Sequence, residues 1–129
     1  GSQLAKPHEF TISRIRGFIN LINFQLRRFV DKNKVENIAD FDLMRVGATR
    51  FLLWHRFVED DHRNEGHGTR MLQSMETYAH SICTAEGSRS SPELFCSTDP
   101  KSDVASWLEK NGYEELQTPY PHVHLRKYL

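Results

Sequence analysis

The chain reads as one mixed α/β sheet with helices on its faces, and three observations carry that reading. Residues 49–58 hold a nearly continuous apolar stretch, Phe51-Leu52-Leu53-Trp54 and then Phe57-Val58. A run this short and aromatic-rich suits a strand buried on both faces. From Gly68 onward the period changes: Met71, Leu72, Met75, Tyr78, Ala79, Ile82 and Cys83 share one helical face, while Arg70, Gln73, Glu76 and His80 point away. Strand-like and helix-like segments then alternate along the chain in the order β-α-β-β-α-β-α-β.

Taken in order, Gly1-Ser2 looks like a tag remnant, and residues 3–129 are expected to form a single domain. Phe10-Thr11-Ile12-Ser13 alternates as a short strand does. Residues 15–30 place Ile15, Phe18, Ile19, Ile22, Leu26, Phe29 and Val30 at three- and four-residue steps, with Asn20, Asn23, Arg27 and Asp31 opposite. That spacing predicts an amphipathic helix entered through Gly17, packed on the core rather than offered to a partner. Residues 31–37 read as a loop, residues 41–46 as a strand and Gly47-Ala48 as a turn. After the strand of residues 49–58 and the helix from Gly68, residues 86–92 form an exposed loop and Leu94-Phe95-Cys96 a strand core. Ser102 or Asp103 can cap a helix through Val104, Ala105, Trp107 and Leu108, which Gly112 can end. The tail, residues 119–129, ends in a strand.

Composition narrows the function classes. Lys plus Arg and Asp plus Glu are 17 each, so no global basic field favours nucleic acid. No apolar run approaches a membrane span and no signal-peptide pattern opens the chain. Cys83 and Cys96 make neither a disulfide framework nor a zinc site, and as buried thiols they fit an intracellular, cytoplasmic or nuclear setting. His122-x-His124 offers two imidazoles on one strand face, too few for a metal site, so no metal is expected. Trp54 and Trp107 sit at apolar-periodic positions and read as core.

The stretch that carries chemistry runs from Phe57 to Thr69: a strand end, the acidic Glu59-Asp60-Asp61, a turn, and two glycines at a helix mouth. The first N–H groups of a helix lack internal partners and its dipole favours anions, so a strand–turn–helix unit of this kind suits a phosphate or pyrophosphate. A Walker A loop needs a lysine before Thr69, and a Rossmann fingerprint needs a third glycine where Met71 stands, so both fail.

Arg63-Asn64-Glu65-Gly66-His67-Gly68 instead matches Gln/Arg-x-x-Gly-x-Gly/Ala and resembles the pyrophosphate signature of the GNAT superfamily of N-acetyltransferases. Ala105 to Tyr113 looks like that family's late helix with its Gly-Phe-like end. Residues 10–30 resemble its opening strand and helix. The resemblance implies a GNAT-like mixed sheet splayed between its fourth and fifth strands. It implies acetyl-CoA (coenzyme A) as cofactor, with Arg63, Asn64, Glu65, Gly66, His67, Gly68 and Thr69 at the pyrophosphate. Arg56, Phe57 and Val58 would then pair their backbone with the pantetheine arm. Glycines at 66 and 68 let the backbone approach without a Cβ in the way.

The same resemblance marks departures. The family's late-helix tyrosine falls on Leu108, its early-strand glutamate on Leu52, and the histidines of aryl-ethylamine members on Leu52 and Trp54. His55 is nearby, but period-2 alternation turns it to the opposite face. Glu59 and Tyr113 are the substitute proton carriers, with Asp60, Tyr120 and water as further choices. Two functions follow. One is an N-acetyltransferase acting on a primary amine (a polyamine, another small amine or a protein amine), to which the acidic strand end would be attractive. The other is a catalytically degenerate module that binds CoA or a protein partner without acetyl transfer. Residues 31–50 leave little room for the family's second helix and third strand, which suggests a trimmed acceptor side, an open groove or a homodimer that completes it.

Overall fold

The computed structural model describes residues 10–16, 20–59, 66–116 and 123–129. Seven strands and two helices follow one another as β1 (Phe10–Arg16), β2 (Leu21–Asp31), β3 (Lys34–Gly47), β4 (Arg50–Val58), α1 (His67–Ala85), β5 (Glu93–Thr98), α2 (Asp103–Lys110), β6 (Glu114–Leu116) and β7 (Val123–Tyr128). The strands form one sheet in the order β1-β2-β3-β4-β5-β7-β6. All neighbours are antiparallel except β4 and β5, which are parallel.

The helix expected over residues 15–30 is not there. β1 and β2 form an antiparallel pair, and β2 pairs on to β3. The three-and-four-residue stripe omits Phe24, which is fully buried, and the burial of β2 alternates through Ile22, Phe24 and Leu26. Asn23, Gln25 and Arg27 occupy the other face, a period of two that belongs to a strand. Gly17, Phe18 and Ile19 lie outside the described residues. The loop expected over residues 31–37 shrinks to the turn at Lys32-Asn33, where the Asn33 N–H donates to Asp31 Oδ1 at 2.7 Å. β3 therefore begins earlier than the sequence suggests, and the short β6 was not foreseen.

Opposed residues in an antiparallel pair share a face, so the register assigns every strand its two sides. One side carries Ile22, Phe24 and Leu26 on β2, Ala39, Phe41 and Leu43 on β3, and Phe51 and Leu53 on β4. All are buried, and they meet the apolar stripe of α1: Met71, Leu72, Met75, Ala79 and Cys83. Phe24 packs edge-to-face on Tyr78 of α1, and Phe41 on Trp107 of α2. Both helices thus lie on the same side. The opposite side carries Asp40 and Asp42 on β3, Leu52, His55 and Phe57 on β4, Phe95 on β5, and Arg126 and Tyr128 on β7. Among the described residues no helix covers it.

β4 corrects two further expectations. It is not buried on both faces: Phe51 and Leu53 are core, but Trp54, His55 and Phe57 are exposed. Trp54 is 62% exposed, so it is not core. α2 behaves as its sequence predicts, with Ser102 Oγ accepting from the Val104 N–H at 3.0 Å and Gly112 in the left-handed region (φ 92°) just beyond the end. Cys83 and Cys96 are both buried and unbridged, as expected.

Candidate functional site

The site begins where the sheet comes apart. β4 and β5 pair only through Arg50, Phe51 and Leu52 with Glu93, Leu94 and Phe95. Residues 53–57 and 96–98 run on with no ladder between them. β4 stays attached to β3, and β5 to β7, so the two strands diverge like a fork. A groove of about 800 Å³ runs along the stretch of β4 that has left β5, within the usual range for small-molecule and cofactor sites.

Two sides of the groove come from different parts of the chain. Trp54, His55, Arg56, Phe57 and Val58 of β4 line one wall, and Asp103, Val104 and Trp107 of α2 line another. Gly66, His67, Gly68 and Thr69 close one end, with Phe41 below. Of the residues expected to hold a cofactor, Arg56, Phe57, Val58, Gly66, His67, Gly68 and Thr69 are therefore gathered around one cavity. Arg63, Asn64 and Glu65 lie outside the described residues, as do Asp60, Tyr120 and His122.

Side chains bridge the fork on the helix side where the backbones do not. Arg56 Nη2 donates to Thr98 Oγ1 at 3.4 Å, and Thr98 Oγ1 lies 3.4 Å from Ser102 Oγ, the cap of α2. This chain ties the free end of β4 to the start of α2 and keeps a guanidinium at the groove wall.

The α1 end has an open, uncapped geometry. Gly66 stands at φ 81°, a left-handed turn that a residue with a Cβ adopts only with strain, and no side chain caps the helix. Space is open where a Cβ on Gly66 would stand, whereas one on Gly68 would meet the Trp107 ring at 3.4 Å. Gly66 thus serves the turn, and Gly68 the close approach of α1 to α2. Trp107 Nε1–H donates to Thr69 Oγ1 at 3.1 Å, which leaves the threonine O–H proton to donate elsewhere. The uncapped N–H groups, the positive end of the helix dipole and this hydroxyl converge on the same end of the groove.

The two expected proton carriers are not placed alike. Tyr113 is buried and its O–H donates to Glu76 Oε2 on α1 at 2.8 Å. Burial and the Glu76 carboxylate push its pKa far above the ordinary tyrosine range. It is not among the described residues that line the groove, and its hydroxyl is engaged as a strut to α1. Lys127 completes that strut, with Nζ 3.2 Å from Glu76 Oε2 and 3.0 Å from Asn111 O. Glu59 is exposed at the end of β4, its backbone N–H bonded to Ile38 O at 2.9 Å, and it too is absent from the groove lining. Leu52 is half-buried and Leu108 fully buried, with no proton to give. Cys96, buried on β5, has its thiol pushed up by loss of water, against a smaller opposing effect of Arg56.

Sequence reasoning missed the contribution of α2. Asp103, Val104 and Trp107 lie at helical spacing on one face, which was legible, but only the fold brings that face to the β4 fork. It also misjudged His55. On β3, Asp42 opposes His55 while the next residue, Leu43, opposes Leu53, so Trp54 is an extra residue in a β-bulge. The bulge resets the alternation: His55 and Phe57 fall on the side of Leu52, and Arg56 and Val58 on the helix side.

No protein-family model matches the chain, and no curated protein matches it by sequence. Solved structures do. An acetyltransferase of the GNAT family from Staphylococcus aureus Mu50 superposes with a TM-score of 0.62 at 14% identity, over 85% of this chain and 68% of that one. The ribosomal-protein-S18-alanine N-acetyltransferase from Escherichia coli gives 0.63 at 18% identity, over 84% and 69%. An aminoglycoside 6'-N-acetyltransferase complexed with coenzyme A gives 0.60 at 16% identity, over 84% and 73%. The fold is the GNAT fold, with the two described helices on one side of the sheet.

Proposed function

We propose that the chain is an N-acetyltransferase, moving an acetyl group from acetyl-CoA to a primary amine by direct attack in a ternary complex. The observation that carries this reading is the groove in the β4–β5 fork. It runs to the uncapped N-terminus of α1, and the residues that the sequence motif singles out line it.

The residues present fit the cofactor. Gly66 offers open space at a left-handed turn, so a pyrophosphate can reach the backbone N–H groups of α1 without meeting a Cβ. Thr69 adds a hydroxyl donor and Arg56 a charge. The edge of β4 over residues 53–57 is available to an extended amide-bearing arm, as a sheet edge is to an added strand. When bound, acetyl-CoA supplies the activated thioester. The chain's part is to hold it, to exclude water with Trp107, Val104 and Phe41, and to leave the thioester end accessible to an amine. Two buried thiols and an apolar core without disulfides extend the reading to a reducing, intracellular setting.

The alternative, a module that holds CoA without turnover, draws its support from Leu52, Leu108 and the engaged Tyr113. Calorimetric titration with acetyl-CoA separates these readings. Binding with a dissociation constant between about 1 μM and 1 mM, as for enzyme–substrate pairs, and its loss in Gly66→Val, are expected. No binding by the unmodified protein rejects the cofactor reading. Binding without thiol release across a panel of primary amines establishes the module.

A further inference from the structure

We propose that the open side of β3 and β4 binds the acceptor, and that the acceptor is a long aliphatic diamine or polyamine. One nitrogen meets the thioester, and a second, as an ammonium ion, is held by Asp40 and Asp42. The proposal rests on the acetyltransferase reading above and narrows its primary amine to one chemical class.

The two sides of the sheet set the acceptor's approach. Phe41, Val104 and Trp107 of the groove stand on the helix side, where α1 and α2 pack on the sheet. No described helix covers the opposite side. There the register sets Asp40 across from Phe57 and Asp42 across from His55, and both β4 residues are exposed. A chain that leaves the fork across β4 on that side therefore passes over the Phe57 ring and then meets the β3 carboxylates. Methylenes laid on the ring take apolar surface out of water.

Charge on the open side is divided between its two halves. Beyond the fork, Arg50 and Arg126 both lie against Glu93, at 2.9 and 3.5 Å. On the β3 half, Asn23 Nδ2 donates to Asp42 Oδ1 at 2.8 Å and also to Asp40 Oδ1, which draws the two carboxylates together. Arg27 of β2 shares that side but donates to Gln25 Oε1 at 2.6 Å. Among the described residues neither Asp40 nor Asp42 is ion-paired with a lysine or arginine. Two neighbouring carboxylates without a counter-ion, next to an exposed ring, complement a cation on an apolar chain.

Strand spacing fixes the length of that chain. A pantetheine arm added to the free edge of β4 stands one spacing from β4, and β3 stands one spacing away on the other side. Neighbouring strands are about 4.7–4.9 Å apart, so the thioester and the carboxylates lie about 9–10 Å apart across the sheet. An extended chain advances about 1.2 Å per bond, so roughly seven or eight bonds separate the two nitrogens. A three-carbon diamine is too short to reach both places, and a monoamine has nothing to offer the carboxylates.

The test uses the full chain, saturating acetyl-CoA, α,ω-diamines of three to eight carbons and the monoamines of matching length. From the three-carbon to the seven-carbon diamine kcat/KM is expected to rise about tenfold, the size of one hydrogen bond to a charged group. The seven-carbon diamine should exceed its own monoamine by a similar factor. Asp40→Asn combined with Asp42→Asn keeps the side-chain shape and the oxygens that Asn23 meets. In that double variant the diamine-to-monoamine ratio of kcat/KM should fall to about one, mainly through KM, with acetyl-CoA affinity unchanged by calorimetry. Phe57→Ala should raise KM for both series. If both series fall together in the double variant and the ratio is kept, the carboxylates serve the sheet alone and the proposal is overturned. Diamines no better than monoamines in the unmodified protein also overturn it and leave the acetyltransferase reading standing. A lysine-bearing peptide turned over faster than every diamine overturns it in favour of a protein acceptor. Absence of turnover with every amine overturns both readings.

Discussion

The two sides of this sheet use similar residues for opposite ends. On one side Phe24, Phe41, Phe51 and Leu53 are sealed by α1 and α2. On the other, Trp54 of the bulge, Phe57 and Tyr128 stand 62%, 45% and 59% exposed, and charges are interleaved with them. Arg50 lies over Phe95 and bonds Glu93 at 2.9 Å, and Arg126 lies over Tyr128. Guanidinium planes lie over aromatic faces there, so the sheet shields part of its apolar surface with its own side chains. The sealed side holds the fold together. The open side is left for chemistry, and the groove is where the two meet.

The comparison makes its largest claim on the sealed side. Phe24→Ala removes a fully buried ring and its contact with Tyr78, away from the groove. A loss of about 3–5 kcal/mol is expected in urea unfolding, with acetyl-CoA affinity unchanged wherever the protein remains folded. A loss under about 1 kcal/mol, below that range, would mean that this side is not the core. Gly66→Val comes next. The left-handed turn costs a residue with a Cβ roughly 1–3 kcal/mol, and cofactor binding should fall more than stability does. If stability falls and affinity does not, the turn serves packing alone.

A third effect is expected at high pH. Burial raises the pKa of both Tyr113 and Cys96, and Glu76 raises that of Tyr113 further, so both are weaker acids in the folded chain. The unfolded chain therefore ionises them first, at about pH 10 and about pH 8.5 respectively. Their contribution is fully present below those values and is lost as pH rises towards the folded-state values. Each group can remove at most about 1.4 kcal/mol per pH unit. Unfolding midpoints of Tyr113→Phe and Cys96→Ala between pH 7 and 11 should therefore fall less steeply than those of the unmodified protein. Tyr113→Phe should leave turnover at neutral pH unchanged, because the hydroxyl meets Glu76 and not the groove.

The sealed side was the more legible one. The α1 stripe and the Ser102 cap follow from local spacing and local hydrogen bonding, and both stand where the sequence places them. Residues 15–30 failed because two periods fit the same letters. Ile15, Ile22, Leu26 and Phe29 satisfy a helix, while Ile22, Phe24 and Leu26 satisfy a strand, and pairing with β1 and β3 decides between them. Arg56 to Val58 and Gly66 to Thr69 were legible as a set because the motif fixes their order along the chain. His55 was not: a bulge depends on how β3 and β4 are paired, and nothing in Trp54-His55-Arg56 announces an extra residue. The α2 wall was hidden for the same reason, since Asp103 and Trp107 reach the groove only through the crossover of the sheet.

The smallest expected effect tests the open side most directly. Trp54 is a large apolar residue in solvent, at the one place in β4 with no partner across the ladder on β3. Truncating an exposed side chain usually changes stability by no more than about 0.5 kcal/mol, because little apolar area leaves water when the chain folds. Trp54→Ser should therefore unfold at nearly the same urea concentration as the unmodified protein. Its effect should instead appear in KM for the amine, since Trp54 lines the groove. The measurement is informative in both directions if repeated over a hundredfold range of protein concentration. A stability loss well above 0.5 kcal/mol that grows with concentration would show the ring buried against a second copy. The exposed side would then be an interface between copies of the chain. A loss independent of concentration would show that the bulge itself needs the ring, and the division between a sealed and an open side would have to be redrawn at Trp54.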